Sequence, residues 1–129
     1  MTFFLDNMIS PKFAKALRAL GEDVYALRER FAEDTSDEEW LRRIGGEGWP
    51  LVTADKHILS RPHELQALKE AEVTTFFLGP FFATKTQFWD QAVWLIRNWP
   101  KLRQTAQTFK KGSCFSVSQR GKLRSLSVV

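Results

Sequence analysis

Short apolar runs alternate with segments of helical periodicity along the first eighty residues. The runs predict strands, and the apolar residues between them recur three or four positions apart, as in amphipathic helices. Strands are predicted at Thr2–Leu5, Asp23–Leu27, Trp49–Thr53 and Val73–Leu78, and helices at Pro11–Leu20, from Ser36, at Pro62–Glu72 and from Thr84. Because strands alternate with helices and the last two strands are mostly apolar along their length, the pattern predicts a parallel sheet covered on both faces.

Capping residues mark the ends of these helices. Ser10-Pro11 supplies the cap and first residue of the first helix, and Ser36-Asp37-Glu38-Glu39 fits a capping box for the second. Gly21 is predicted to end the first helix, and Gly45-Gly46 the second. The polar segment 28–35 between them is predicted to be a loop.

The last third of the chain has a different pattern. A long amphipathic helix is predicted from Thr84, and Pro100 is expected either to start a new turn or to bend the helix. Alternating apolar residues on both sides of Gln119-Arg120-Gly121 predict a terminal hairpin with strands at Ser113–Val117 and Lys122–Leu126.

The composition is that of an ordinary globular protein, with 43% hydrophobic residues and a mean hydropathy of −0.30. The 129 residues suit one domain, with a core at about 1–99 and a basic extension carrying the hairpin at about 100–129. No apolar run approaches the roughly 18–20 residues that span a bilayer, and the layout of a signal peptide is missing. Cys114 is the only cysteine, which excludes a disulfide framework and a cysteine-based zinc site. We therefore expect a cytoplasmic protein with no membrane partner.

Charge is distributed unevenly along the chain, whose net charge is +4. Residues 1–84 contain 10 Lys and Arg against 14 Asp and Glu, whereas residues 85–129 contain 9 Lys and Arg against one acid, Asp90. A basic segment on an acidic body suggests a polyanionic partner. The alternative is a solvated helix face followed by a loose tail.

Two of the predicted strands have an aspartate at the carboxyl end. Asp6 follows the first strand directly, and Asp55 follows the third after one alanine. The carboxyl ends of parallel strands share one edge of the sheet, so these aspartates should be close if their strands are neighbours. The acids at 37–39 begin a helix that starts from the same edge. Converging carboxylates repel each other unless a cation lies between them, and hard oxygen ligands favour Mg²⁺ or Mn²⁺.

Each of these acids also has an explanation that needs no metal. Asp6 and Asp55 could cap the turns after their strands, because aspartate commonly accepts hydrogen bonds from nearby backbone N–H groups. The acids at 37–39 could suit the positive N-terminus of a helix. The metal interpretation depends on all of them meeting at one edge.

The order of these motifs resembles that of a known family, the PIN-like nucleases of the VapC toxin superfamily, and in particular a compact branch with a Leu-Asp-x-Asn opening. The segments that carry the likeness are Phe4-Leu5-Asp6-Asn7, Ser10-Pro11, the stretch 21–24, Ser36–Leu41 and Leu51–Asp55. The likeness covers about residues 3–79, and the glycine and arginine pattern from Gly112 to Arg124 is similar to that branch too.

The resemblance implies an α/β/α sandwich with a mostly parallel sheet of four or five strands, and a Mg²⁺- or Mn²⁺-dependent endoribonuclease. By position, the family's metal ligands match Asp6, Asp37 and Asp55, with Glu38 as the alternative to Asp37, and its supporting polar residues match Asn7 and Thr53. The resemblance further implies the toxin of a type II toxin–antitoxin pair, which forms a homodimer and is inhibited by a cognate antitoxin protein.

The chain departs from the family at one position. PIN nucleases commonly have a fourth acid shortly after the third, where this chain has His57. One weakly held metal ion is therefore expected, or none without bound substrate. Basic residues beside the carboxylates are candidates for binding RNA phosphates, although each could be a solvated surface residue: Lys12, Lys56, His57 and Arg61.

Two other functions remain open from the sequence. One is a PIN-like module that has lost turnover and binds RNA through its basic C-terminal third, which the replacement of an acid by His57 would explain. The other is a phosphoacceptor receiver domain with Asp55 after its third strand. Receivers usually have paired acids after strand one and a lysine after a fifth strand, whereas this chain has Asp6-Asn7 and no clear fifth parallel strand.

Overall fold

Six strands and five α-helices are found in the computed structural model, which describes residues 1–82 and 87–127. The strands are β1 Phe3–Leu5, β2 Val24–Ala26, β3 Leu51–Thr53, β4 Thr75–Leu78, β5 Cys114–Val117 and β6 Leu123–Leu126. The helices are α1 Pro11–Ala19, α2 Leu27–Arg30, α3 Asp37–Glu47, α4 Pro62–Glu70 and α5 Phe88–Thr108, and a 3-10 turn spans Lys56–Ser60.

All six strands belong to one sheet with the order β2-β1-β3-β4-β5-β6. The first five strands are parallel, and β6 runs antiparallel to β5. The chain moves from β1 to β2 on one side and then returns to β3 on the other side of β1. The point between β1 and β3, where the order reverses, is where open α/β sheets form a crevice at the carboxyl ends of their strands.

Strand residues alternate between two hydrophobic clusters, one on each face of the sheet. Phe3, Leu5 and Val52 pack with the buried side of α1 and α5, while Phe4 and Leu51 pack with α3 and α4. This alternation is what a sheet buried on both faces requires. The predicted α/β/α sandwich of three layers is therefore confirmed.

The second predicted helix does not end at Gly45-Gly46. In the structure α3 continues to Glu47, and Gly48 ends it in the left-handed conformation with φ 74°. A Cβ on Gly45 would lie 2.6 Å from the Cβ of Ala71, which follows α4, so Gly45 marks a close approach of the two helices. The prediction was wrong because a glycine can serve packing as well as termination.

One further prediction about local structure needs correction. Part of the predicted loop 28–35 belongs to the short helix α2, which Glu29 stabilises by accepting a hydrogen bond from the N–H of Ala26 and pairing with Arg18. Helix α5 continues through Pro100, which lies inside it. Pro100 lies on its exposed face, where a backbone carbonyl without a helical partner can be hydrated. The predicted helix start at Thr84 lies outside the described residues.

The terminal hairpin forms as predicted, from β5 and β6, but it is not separate from the sheet. Strand β5 pairs with β4 in parallel register along its whole length, from Cys114 opposite Thr75 to Val117 opposite Leu78. It is thus a fifth parallel strand, and its pairing with β4 is the part that the sequence did not reveal. The absence of a fifth strand therefore no longer argues against a receiver domain. No helix in residues 1–82 or 87–127 combines the length and apolar character needed to cross a membrane.

Candidate active site

Asp6 follows β1 and is only 4% exposed. Its Oδ1 accepts a hydrogen bond of 2.9 Å from the N–H of Met8, and its Oδ2 accepts one from the hydroxyl of Thr53. Burial raises the pKa of Asp6 to about 6, because these two hydrogen bonds offset the loss of hydration only in part and the nearby charge of Asp55 opposes ionisation further. Asp6 is therefore a buried acid that titrates close to neutral pH.

Thr53, the last residue of β3, joins the two strand ends. The strand register places it beside Asp6, since Leu5 pairs with Val52. Its hydroxyl donates to Asp6 and accepts a hydrogen bond of 2.9 Å from the N–H of Asp55. The side chain is fully buried. A residue with both a donor and an acceptor on one atom is required here, which threonine provides.

Asp55 begins the 3-10 turn that follows β3. Its Oδ1 accepts a hydrogen bond of 3.0 Å from the N–H of His57, so it caps the turn as the metal-free explanation proposed. Its Oδ2 lies 3.5 Å from Nη1 of Arg61. The two oxygens thus have different roles, one local and one directed toward a neighbouring cation.

Asp37 is the first residue of α3, and the side chain of Trp40 holds it in place. The indole Nε1–H of Trp40 donates a hydrogen bond of 2.9 Å to Oδ1 of Asp37, while Oδ2 lies 3.9 Å from Nη1 of Arg61. Glu38 instead pairs with Arg42 at 3.6 Å on the outer surface. Of the two alternatives from the sequence, the structure brings Asp37 toward Asp55.

Glu64 is an acid of this site that sequence reasoning missed. It lies in the first turn of α4 with its side chain only 11% exposed, and both of its oxygens are within 3.3 Å of Nη1 of Arg61. Burial, a hydrogen bond to Asp37 and the charge of Asp37 raise the pKa of Glu64 to about 7, against the opposing effect of Arg61. A signal was present, because Glu64 precedes the buried Ala67 and Leu68 by three and four positions and so lies on the apolar face of its helix.

The four acids provide the hard oxygen donors that Mg²⁺ and Mn²⁺ prefer, so the chemistry of the donor set fits such an ion. Their present spacing does not form a closed site. Across residues 1–82 and 87–127, no group of three or more His, Cys, Asp or Glu side chains is arranged to hold a metal ion. A guanidinium group, that of Arg61, lies between three of the acids instead.

The other predicted site residues whose side chains are described are exposed to solvent. Lys12 is exposed, with its Nζ 5.8 Å from the ring centre of Phe88. His57 is exposed, and Asn7 is exposed at the rim of a small cavity beside Trp40. The side chain of Lys56 lies outside the described part of the structure.

Taken together, the fold and site define an α/β/α protein with a cluster of acids at the switch point of its sheet. A family model described as the PIN-like domain matches residues 1–80, which is more than half of the chain. The chain therefore belongs to the PIN-like domain family, whose fold is of the nuclease type. No curated protein and no solved structure matched it.

Proposed function

We propose that this protein is a metal-dependent endoribonuclease that hydrolyses RNA phosphodiesters. The observation that carries the proposal is the link between two strand-end aspartates at the switch point of a PIN-like fold. The hydroxyl of Thr53 donates to the carboxylate of Asp6 and accepts from the backbone N–H of Asp55. The C-terminal ends of parallel strands at a switch point are where such folds bind their ligands.

Asp6, Asp37 and Asp55 would hold a Mg²⁺ or Mn²⁺ ion, with Glu64 added to the predicted set. When bound, such an ion lowers the pKa of its water and neutralises charge on the phosphodiester. The protein's own contribution is to fix the ligands. Thr53 holds Asp6, and the indole of Trp40 holds Asp37.

The test is cleavage of RNA by the purified protein in the presence of Mn²⁺. We expect Asp6→Asn and Asp55→Asn to abolish cleavage, because each replaces a carboxylate ligand by an amide of nearly the same shape. Asp34→Asn, at an exposed position of the loop before α3, serves as the matched control and should cleave like the wild type. Equal cleavage by the wild type and both site variants would contradict the proposal.

Basic residues near the crevice are proposed to bind the RNA backbone, in keeping with the predicted roles of Lys12, Lys56, His57 and Arg61. Lysine and arginine contacts to phosphates release counterions, so binding should weaken steeply as salt concentration rises. Binding of RNA to Asp6→Asn, measured at several salt concentrations, tests this part separately from cleavage.

The resemblance extends the proposal to a toxin of a type II pair that dimerises and binds an antitoxin protein.

An apolar stripe on the exposed side of α5, formed by Trp89, Val93 and Ile96, supports dimerisation with a second copy. An antiparallel pairing of two α5 helices centred on Val93 would place Asp90 of one copy near Arg97 of the other. Light scattering should give a dimer for the wild type and a monomer for Trp89→Gln, and co-purification with the product of an adjacent reading frame tests the antitoxin.

A second candidate is a PIN-like RNA-binding module without turnover. The ion pairs between Arg61 and three of the acids favour it, because they already neutralise much of the cluster. Salt-dependent RNA binding with no cleavage in any divalent metal would support this candidate over the nuclease.

A further inference from the structure

Arg61 makes an unusual set of contacts for a residue that was expected to bind RNA. A single atom, its Nη1, lies 3.2 Å from an oxygen of Glu64, 3.5 Å from Asp55 and 3.9 Å from Asp37. The three acids come from three different elements, namely α4, the turn after β3 and α3. The guanidinium therefore occupies the place where their negative charges converge.

Two of the three acids are also held by groups other than Arg61. The N–H of His57 donates to Asp55, and the indole N–H of Trp40 donates to Asp37. The side chain of Arg61 is 49% exposed and belongs to the residue that links the 3-10 turn to α4. Because the guanidinium side of these ion pairs reaches the solvent, a competing cation can replace it.

We propose that Arg61 is an internal cation that competes with a divalent metal ion for Asp37, Asp55 and Glu64. This inference rests on the proposed function, since it concerns the metal of the same site. An ion with two charges needs the same oxygens, and it binds only when the guanidinium swings out. Arginine then stands beside the site with its planar donors free, in the form that binds phosphate in a bidentate manner.

Binding of Mn²⁺ alone, without RNA, tests the inference by calorimetry and electron paramagnetic resonance on metal-stripped protein. Arg61→Gln removes the competing charge and should bind Mn²⁺ about tenfold more tightly than the wild type, a change that corresponds to about 1.4 kcal/mol. Arg42→Gln is the matched control, because Arg42 also bridges two acids, Glu38 and Glu70, but outside the cluster. Its Mn²⁺ affinity should stay within about twofold of the wild type.

A second measurement does not depend on a variant that folds. The side-chain N–H signal of Arg61 in the wild-type protein should shift toward that of a solvated arginine as Mg²⁺ is added, while the signal of Arg42 stays in place. An unchanged Arg61 signal at saturating Mg²⁺ would overturn the inference.

The outcomes also separate this inference from the proposed nuclease. If the wild type and Arg61→Gln bind Mn²⁺ equally well and cleave RNA, the role of Arg61 is wrong and the nuclease stands. If neither protein binds Mn²⁺ nor cleaves RNA, the metal-dependent function itself fails and this inference fails with it. If Arg61→Gln binds Mn²⁺ more tightly than the wild type and the double variant Arg61→Gln/Asp55→Asn loses that gain, the result supports both the role of Arg61 and the metal site of the proposed nuclease.

Discussion

Strands β1 and β3 share one sequence pattern, a short buried strand with an aspartate at its carboxyl end. The carboxyl groups of the two aspartates nevertheless lie in different surroundings. Asp6 is buried and receives hydrogen bonds from uncharged donors, and burial raises its pKa to about 6. The side chain of Asp55 is 17% exposed and lies 3.5 Å from a guanidinium group. One strand end holds an acid whose pKa is raised by burial, and the other holds an acid paired with a cation.

The difference arises from the elements that follow the strands. After β1 the chain turns directly into α1, whose cap Ser10 brings no cation to Asp6. After β3 the 3-10 turn brings Arg61 back to Asp55, six residues later. A strand-end aspartate therefore identifies the location of a site, while the charge of that site is decided by the next turn.

The largest effect is expected from breaking the link between the two strand ends. Thr53→Val keeps the shape of the side chain but leaves Oδ2 of Asp6 and the N–H of Asp55 without their partner. Because buried groups without hydrogen bonds are costly, the free energy of unfolding should fall by about 3 kcal/mol in urea titrations. Thr53→Ser keeps the hydroxyl and should lose only about 1 kcal/mol. Equal losses for the two variants would show that the hydroxyl does not connect the ends.

The second prediction perturbs only the side of the site that α3 and α4 form. Gly45→Ala places a methyl group 2.6 Å from Ala71, so overpacking should lower the free energy of unfolding by about 2 kcal/mol. Nuclear magnetic resonance shifts should then change around Asp37 and Glu64 more than around Asp6. A Cβ at Gly46 meets no atom within 4 Å, and Gly46→Ala should stabilise the helix by up to about 1 kcal/mol. Destabilisation by both variants would point to helix termination rather than packing.

The third prediction uses pH to separate the two carboxyl groups. The pKa of Asp6 is higher in the folded than in the unfolded protein, so the folded state binds more protons between about pH 4 and 6 and stability falls as pH rises through that window. The wild type should therefore lose stability between pH 5 and pH 7.5 in the presence of EDTA. In Asp6→Asn this loss in the free energy of unfolding should be smaller by about 1 kcal/mol. Urea titrations at both pH values measure this, and an unchanged drop would mean that Asp6 is not the buried titrating acid.

Much of the fold could be predicted because its signals are local. Apolar runs, caps such as Ser10 and the strand-end aspartates are read from neighbouring residues, and the parallel sheet and its acidic edge followed from them. The pairing of β5 as a fifth parallel strand could not be predicted. Its partner β4 lies some forty residues earlier in the chain, and the sequence of a short hairpin strand does not show which edge has a further partner. Pairing of distant segments is decided by packing, which local patterns do not encode.

The composition of the site was predictable only in part for the same reason. The order of the motifs predicts the site residues Asp6, Thr53, Asp55 and either Asp37 or Glu38. Glu64 joins them only because α4 packs against α3. The sequence also assigned Arg61 to RNA, as a basic residue in a loop. Its contacts with three acids depend on how two helices and a turn converge, which no spacing along the chain reveals.

The smallest effect is expected at Glu38, which marks the outer limit of the acidic site. Its side chain is 48% exposed and pairs with Arg42, four residues later on the same helix. Exposed pairs of this kind contribute little, so Glu38→Gln should change the free energy of unfolding by less than about 0.5 kcal/mol. Its rate of RNA cleavage should also stay within about twofold of the wild type, whereas Asp37→Asn should fall well below it. The two variants differ by one position in the chain, but of these two acids only Asp37 faces Arg61 and Glu64. The opposite result, in which Glu38→Gln loses cleavage and Asp37→Asn keeps it, would make Glu38 the ligand. It would require α3 to be rotated relative to β3.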